Sequence, residues 1–204
     1  MADTLDALTI AEARTAVGLG SDTAQDTPLA AWVTAVSRQL DQLCGPVVVR
    51  TITSETIDGG DYTIRLRYRP VSSVTTVTEY QNTTATTLTA ETNTTKTTSN
   101  YRADLRAGIL RRRNSNTDTT FAEGRGNIEV TYVAGRAATT SAVDAKFKQA
   151  CSMMLRAAWV GEQASGTQMF DQQGGFDTSL YGPKLLNRVA ALLEGEMVES
   201  VGVL

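Results

Sequence analysis

Residues 124–160 read GRGNIEVTYVAGRAATTSAVDAKFKQACSMMLRAAWV, and this stretch decides the fold. Its first part alternates. Ile128, Val130 and Tyr132 share one parity, and Asn127, Glu129 and Thr131 the other. That period of two marks a half-buried strand. Gly135 breaks the pattern. Ser141 then stands where a hydroxyl accepts from an unpaired first-turn amide, with Asp144 three residues on, so a helix capped at Ser141 is expected. Val143, Phe147, Cys151, Met154, Leu155 and Ala158 follow with helical spacing and make one apolar face. The chain leaves a sheet here and enters a helix that needs a core. The residues before 124 must supply the sheet, and the two ends the core.

The ends do read as helices. Thr9-Ile10-Ala11-Glu12 is a capping box, with Gly18 and Gly20 as the stop. A second helix is expected to be capped by Thr27, with Pro28 at its first position, and stopped by Gly45-Pro46. Leu29, Trp32, Val33, Val36, Leu40 and Leu43 form its apolar stripe. A last helix opens at Pro183, with Leu185, Leu186, Val189, Leu192, Leu193 and Met197 in register. Trp32, Phe147 and Val189 are the expected centre of one helical core.

Between the helices the composition changes. Val47, Val49, Thr51, Thr53, Glu55 and Ile57 begin a strand, and Asp58-Gly59-Gly60-Asp61 reads as a hairpin turn. The return strand would place Tyr62, Ile64, Leu66 and Tyr68 on one face and Arg65, Arg67 and Arg69 on the other. Such an arginine row is a solvated face, a set of cross-strand ion pairs or a subunit contact. Residues 71–80 read as a third strand. Ten of the sixteen residues 83–98 are threonine; threonine favours extended backbone, so a long hairpin tip or a loop is expected. Arg111-Arg112-Arg113 is a basic run without aromatic neighbours, which argues against nucleic-acid recognition. Residues 161–182 form a long Gln- and Gly-rich loop in which Met169, Phe170 and Phe176 are the apolar anchors for another surface.

Charge and residue usage exclude much chemistry. The 204 residues include no histidine and only two cysteines, Cys44 and Cys151. That removes His-based acid–base catalysis, Ser-His-Asp and Cys-His nucleophiles and most zinc sites. No enzyme, cofactor or metal is expected. Gly124-Arg125-Gly126 precedes a strand rather than a helix, so it is no dinucleotide loop. Apolar runs are far short of a membrane span and no secretory signal opens the chain, so synthesis in a cytoplasm is expected. Residues 47–136 hold twelve Lys/Arg against nine Asp/Glu, a balance of +3; the rest hold seven against thirteen, a balance of −6. The fold class expected is α+β: mainly a helical bundle of residues 1–46 and 137–204, with an antiparallel β region, residues 47–136, inserted between the second and third long helices.

Two blocks carry a family resemblance. In residues 30–77, a helix ending in Leu43-Cys44-Gly45 passes into Val47-Val48-Val49-Arg50-Thr51, then the Gly59-Gly60 turn, then Leu66-Arg67-Tyr68-Arg69-Pro70-Val71-Ser72-Ser73-Val74. In residues 124–159, Gly126-Asn127-Ile128-Glu129-Val130-Thr131-Tyr132-Val133-Ala134-Gly135 leads into the helix. Here the chain resembles the head–tail connector, or adaptor, proteins of tailed bacteriophages, also called head completion proteins. The resemblance implies a structural protein of the virion neck. It implies a homo-oligomeric ring, commonly of twelve subunits, joining the portal to the stopper or tail-completion protein. Double-stranded DNA would pass through its lumen without specific binding. It also implies that the C-terminal segment reaches the portal, which makes Val198, Ser200, Val201, Val203 and Leu204 candidate portal contacts. Arg65, Arg67, Arg69, Arg111, Arg112, Arg113, Met169, Phe170 and Phe176 are the candidate subunit or partner contacts. A β-rich, adhesin-like binding module is the alternative reading of the same residues.

Overall fold

The first helix, α1 (Ile10–Val17), begins where the sequence says it should. In the computed structural model, which describes residues 3–164 and 183–196, the Thr9 hydroxyl accepts from the Glu12 amide, and the Glu12 carboxylate accepts from the Thr9 amide. Gly18 ends α1 in the left-handed region at φ 81°, and the Leu19 amide reaches back to the Arg14 carbonyl. A side chain at Gly18 would strain this closing turn.

Helix α2 (Asp26–Cys44) starts two residues earlier than a cap at Thr27 would place it. Its N-cap is Gln25, which makes no side-chain cap bond, and Asp26 supplies the first-turn negative charge instead. Leu29, Val33, Val36, Leu40 and Cys44 are buried, while Trp32 and Leu43 are half-buried at the edge of the cluster. Residues 140–142 form a short 3-10 turn, and α3 (Ala145–Ala164) follows. Its cap is not Ser141, whose hydroxyl pairs with Thr139; Asp144 caps it, accepting from the Lys146 amide at 2.9 Å. The 3-10 turn uses up Ser141 before the helix begins. Helix α4 (Pro183–Leu192) buries Val189, and Leu193 just beyond it. Phe147, Cys151, Leu155, Val189 and Leu193 join the α2 stripe in one core. Lys148 links α3 to Glu12 at 2.6 Å.

Residues 49–136 form a second compact unit; residues 1–48 and 137–204 make up the first. The β unit holds two antiparallel sheets. One has the order β1 (Arg50–Ile57), β8 (Ile128–Ala134), β3 (Val71–Gln81), β4 (Thr84–Thr87). The other has the order β2 (Thr63–Arg65), β6 (Ile109–Asn114), β5 (Tyr101–Asp104), with β7 (Thr117–Asp118) pairing to β6. Strand β8 is central, and its Ile128, Val130 and Tyr132 are fully buried. They meet Leu66, Val77, Leu110 and Phe121 in a core of the β unit's own.

This corrects the expected fold class. Helix and strand contribute nearly equally, 32% and 28%, with two antiparallel sheets and four helices among the described residues. The protein is not mainly a helical bundle. The β region was underweighted because its strands are short and polar on one side; each gains its core only by pairing with distant segments.

The expected hairpin at residues 58–61 is also corrected. Strand β1 pairs with β8 and β2 pairs with β6, so these residues cross from one sheet to the other. Asp58 accepts from the Gly126 amide at 2.6 Å, and the Gly59 amide donates to the Gly124 carbonyl at 2.9 Å. A Cβ at Gly59 would lie 2.0 Å from the Ala122 carbonyl oxygen, so the close approach demands glycine. Edge strand β1 carries a bulge at Ser54, φ 54°, where the register with β8 shifts. Such a bulge interrupts an open edge. In the Thr-rich stretch, β4 folds back on β3 through Asn82-Thr83, and Leu88 enters the core. The Thr92 hydroxyl then bonds those of Thr94 and Thr95.

Candidate interaction surfaces

The arginines singled out by sequence divide into two sets. Arg65 and Arg67 are exposed, and the Arg67 guanidinium lies 5.5 Å from the Tyr68 ring centre. Tyr62 and Tyr68 are exposed too, so only Ile64 and Leu66 of the expected apolar face are core. Arg69 is half-buried against Gly108.

The basic run on β6 is largely absorbed by the fold. Arg112 donates to Glu79 at 3.0 Å with both side chains nearly buried, and its Nη1 donates to the carbonyls of both Asn100 and Arg113. Arg113 pairs with Glu91 at 3.1 Å and Asp118 at 3.3 Å. Only Arg111 of the three is exposed, paired to Asp118 at 3.2 Å. The signal for Glu79 was in the sequence: it has the parity of buried Val77, and a carboxylate on an apolar face needs a buried cation.

The remaining candidate contacts, Met169, Phe170, Phe176, Val198, Ser200, Val201, Val203 and Leu204, lie outside the described residues.

Two concave surfaces lie among the described residues. In the helical unit, α1, α3 and α4 frame a groove of about 760 Å³, floored by Val17, Met153, Ala157, Trp159 and Leu185 and edged by Arg156 and Arg188. In the β unit, a groove of about 580 Å³ runs over β5 and β6, lined by Arg102, Asp104, Leu105, Ile109, Arg111 and Arg113. Sequence reasoning missed the first, which combines residues far apart in the chain. The second lies on the β5–β6 hairpin, of which the sequence singled out Arg111 and Arg113.

Perturbed groups are structural. Burial pushes the Cys151 thiol up to about 12, with Asp6 and Asp41 adding to it and the Ser37 hydroxyl opposing. Burial, then the hydrogen bond to Glu55, raises the Tyr132 phenol above its ordinary range. Burial also raises Asp6, with the Thr34 hydroxyl opposing. None of these lines either groove. Among the described residues no three His, Cys, Asp or Glu cluster as metal ligands, and no helix is long and apolar enough to cross a membrane.

No protein-family model matches the chain, and no curated protein matches it. Solved structures do. The chain is similar to one in the neck of an empty gene transfer agent (GTA) particle computed with C6 symmetry, with TM-score 0.57 and 18% identity over 96% of this chain and 92% of that one. It is similar to a chain in the virion of a native gene transfer agent particle, with TM-score 0.58 and 18% identity over the same shares. The likeness spans both units. The fold is therefore one found in the neck of a phage-like particle, as the resemblance to head–tail connectors implied.

Proposed function

We propose that this chain is a structural protein of a virion neck, an adaptor that assembles into a ring between portal and stopper or tail. The observation that carries this reading is the fold shared with a chain of a gene transfer agent neck over nearly the whole of both chains. A ring of identical subunits needs two different surfaces on each copy. The two grooves, one per unit, and the exposed Arg65–Arg67 strand supply candidates. The helical residues carry the net −6, which suits a lumen through which DNA must slide, since phosphates are repelled rather than gripped.

The test is electron microscopy of the protein mixed with its portal. A ring coaxial with the portal is expected. A protein that remains monomeric and unbound at micromolar concentrations would defeat the reading.

A further inference from the structure

We propose that the groove between α1, α3 and α4 is a socket for the acidic stretch that begins at Glu194 of a second copy of this chain. The inference rests on the ring reading and adds to it which surfaces meet.

The groove is electrostatically out of place. Its unit carries a net −6, yet among the described residues the lining holds two cations, Arg156 and Arg188, and no acid. Arg188 is exposed and forms no ion pair among the described residues. Arg156 donates its Nε hydrogen to the Ala16 carbonyl, and its outer nitrogens have no partner among those residues. The floor is apolar, and Val160, 44% exposed, extends apolar surface past the rim. An occupant must therefore bring carboxylates and aliphatic groups together.

One stretch of this chain has that chemistry. Glu194 is exposed just beyond α4, and the sequence continues Gly195-Glu196-Met197-Val198-Glu199. Glu194 and Glu199 flank Met197 and Val198, while Glu196 is held by Lys146. Among the described residues of the helical unit, the exposed acidic stretch Ser21-Asp22-Thr23-Ala24-Gln25-Asp26 has no large apolar residue.

Placement favours a second copy. Glu196 pairs with Lys146 in the first turn of α3 at 2.5 Å, and Arg156 is ten residues further along that helix, about 15 Å at 1.5 Å per residue. Groove and acidic stretch thus sit at different stations of one helix. A contact using the groove of one copy and the acidic stretch of the next is heterologous, the kind that closes rings.

The experiment reads assembled mass by light scattering across protein concentration and salt, with portal binding measured in parallel. Arg188→Glu is the first variant and Glu194→Arg the second; both sites are exposed, so an unchanged Tm is expected for each. Each should weaken association about tenfold, the order seen when a close charge pair is reversed. Their combination with Glu199→Arg should restore it. Added salt should weaken the wild-type assembly and spare the variants. A wild-type ring that Arg188→Glu leaves intact overturns the socket alone, including the case in which that variant loses only portal binding. Failure of the combined variant to recover also overturns it. A wild type that never assembles, with or without portal, overturns the ring reading and the socket together.

Discussion

Tyr132 on β8 donates its phenolic hydrogen to Glu55 on β1, and the same hydroxyl accepts from the Tyr68 amide at 3.1 Å. Glu55 turns its other oxygen to the Arg67 amide at 3.0 Å. One buried ring thus fastens the chain after β2 to the sheet of β1 and β8. Tyr132→Phe keeps the ring and its packing but leaves the carboxylate and an amide short of a partner. The expected cost is about 1–3 kcal/mol, the usual penalty for stranding buried polar groups. Urea unfolding would measure it, and no change would mean water replaces the hydroxyl without loss.

A second link joins the two sheets of the β unit. Glu79 of β3 holds Arg112 of β6 and also accepts from the Ala122 amide at 2.7 Å. Removing one member leaves the other charge nearly buried. Arg112→Met and Glu79→Gln should each cost about 3 kcal/mol, while the double variant should cost clearly less than their sum. A double-mutant cycle with additive losses would show that the pair is not coupled.

What the sequence disclosed depends on how local the cause was. The α1 capping box and its glycine stop are four- and five-residue events, and both stand where they were read. The alternation of β8 was legible because a central strand with one buried face imposes parity at every position. Residues 58–61 misled because a Gly-Gly turn fixes a bend, while the partner is chosen elsewhere: Gly126 and Gly124 capture Asp58 and Gly59 from across the chain. The arginine run showed its charge and hid its partners, since Glu79 and Glu91 arrive from other segments. The groove of α1, α3 and α4 could not be read, because it is the meeting of three elements and not a property of one.

Phe147 is 2% exposed in the helical core, as its place on the apolar face of α3 required. Phe147→Ala should cost about 3–5 kcal/mol, the range for truncating a large buried aromatic. Chemical denaturation gives the number; a loss well under about 1 kcal/mol would place Phe147 outside the working core.

Cys44 and Cys151 are both buried thiols outside any disulfide. Burial pushes the Cys151 thiol up to about 12, so it stays protonated at pH 8. Only the thiolate attacks an aromatic disulfide reagent. The native protein should therefore react far more slowly at both positions than the unfolded chain, which should release two equivalents at once. Rapid release of one equivalent from the native protein would show that the core around α2 and α3 opens readily.

Asp6 gives the helical unit a pH dependence of definite sign. Its side chain is fully buried; one oxygen accepts from the Asp3 amide at 2.8 Å and the Thr34 hydroxyl at 2.9 Å, and the other has no hydrogen-bond partner among the described residues. Burial raises its pKa, the Asp3 carboxylate adds to this, and Thr34 and Arg38 oppose it. Between the unfolded and the raised folded value, the folded state binds more protons than the unfolded one. Stability from this group is therefore fullest below the unfolded pKa and declines as pH rises through the folded pKa. Glu12 runs the other way. Burial pushes it up, but Lys148 and Thr9 together outweigh that and hold it low, so its contribution is present at neutral pH and lost in acid. Asp6→Asn leaves Glu12 untouched, so the difference between variant and wild type isolates Asp6. That difference should move in favour of the variant as pH rises above the unfolded pKa and level off once pH passes the raised folded pKa, whatever constant offset the amide introduces. Thermal unfolding of both proteins across that range measures it, and a difference that is flat or slopes the other way would show that Asp6 is ionised in the folded protein as readily as in water.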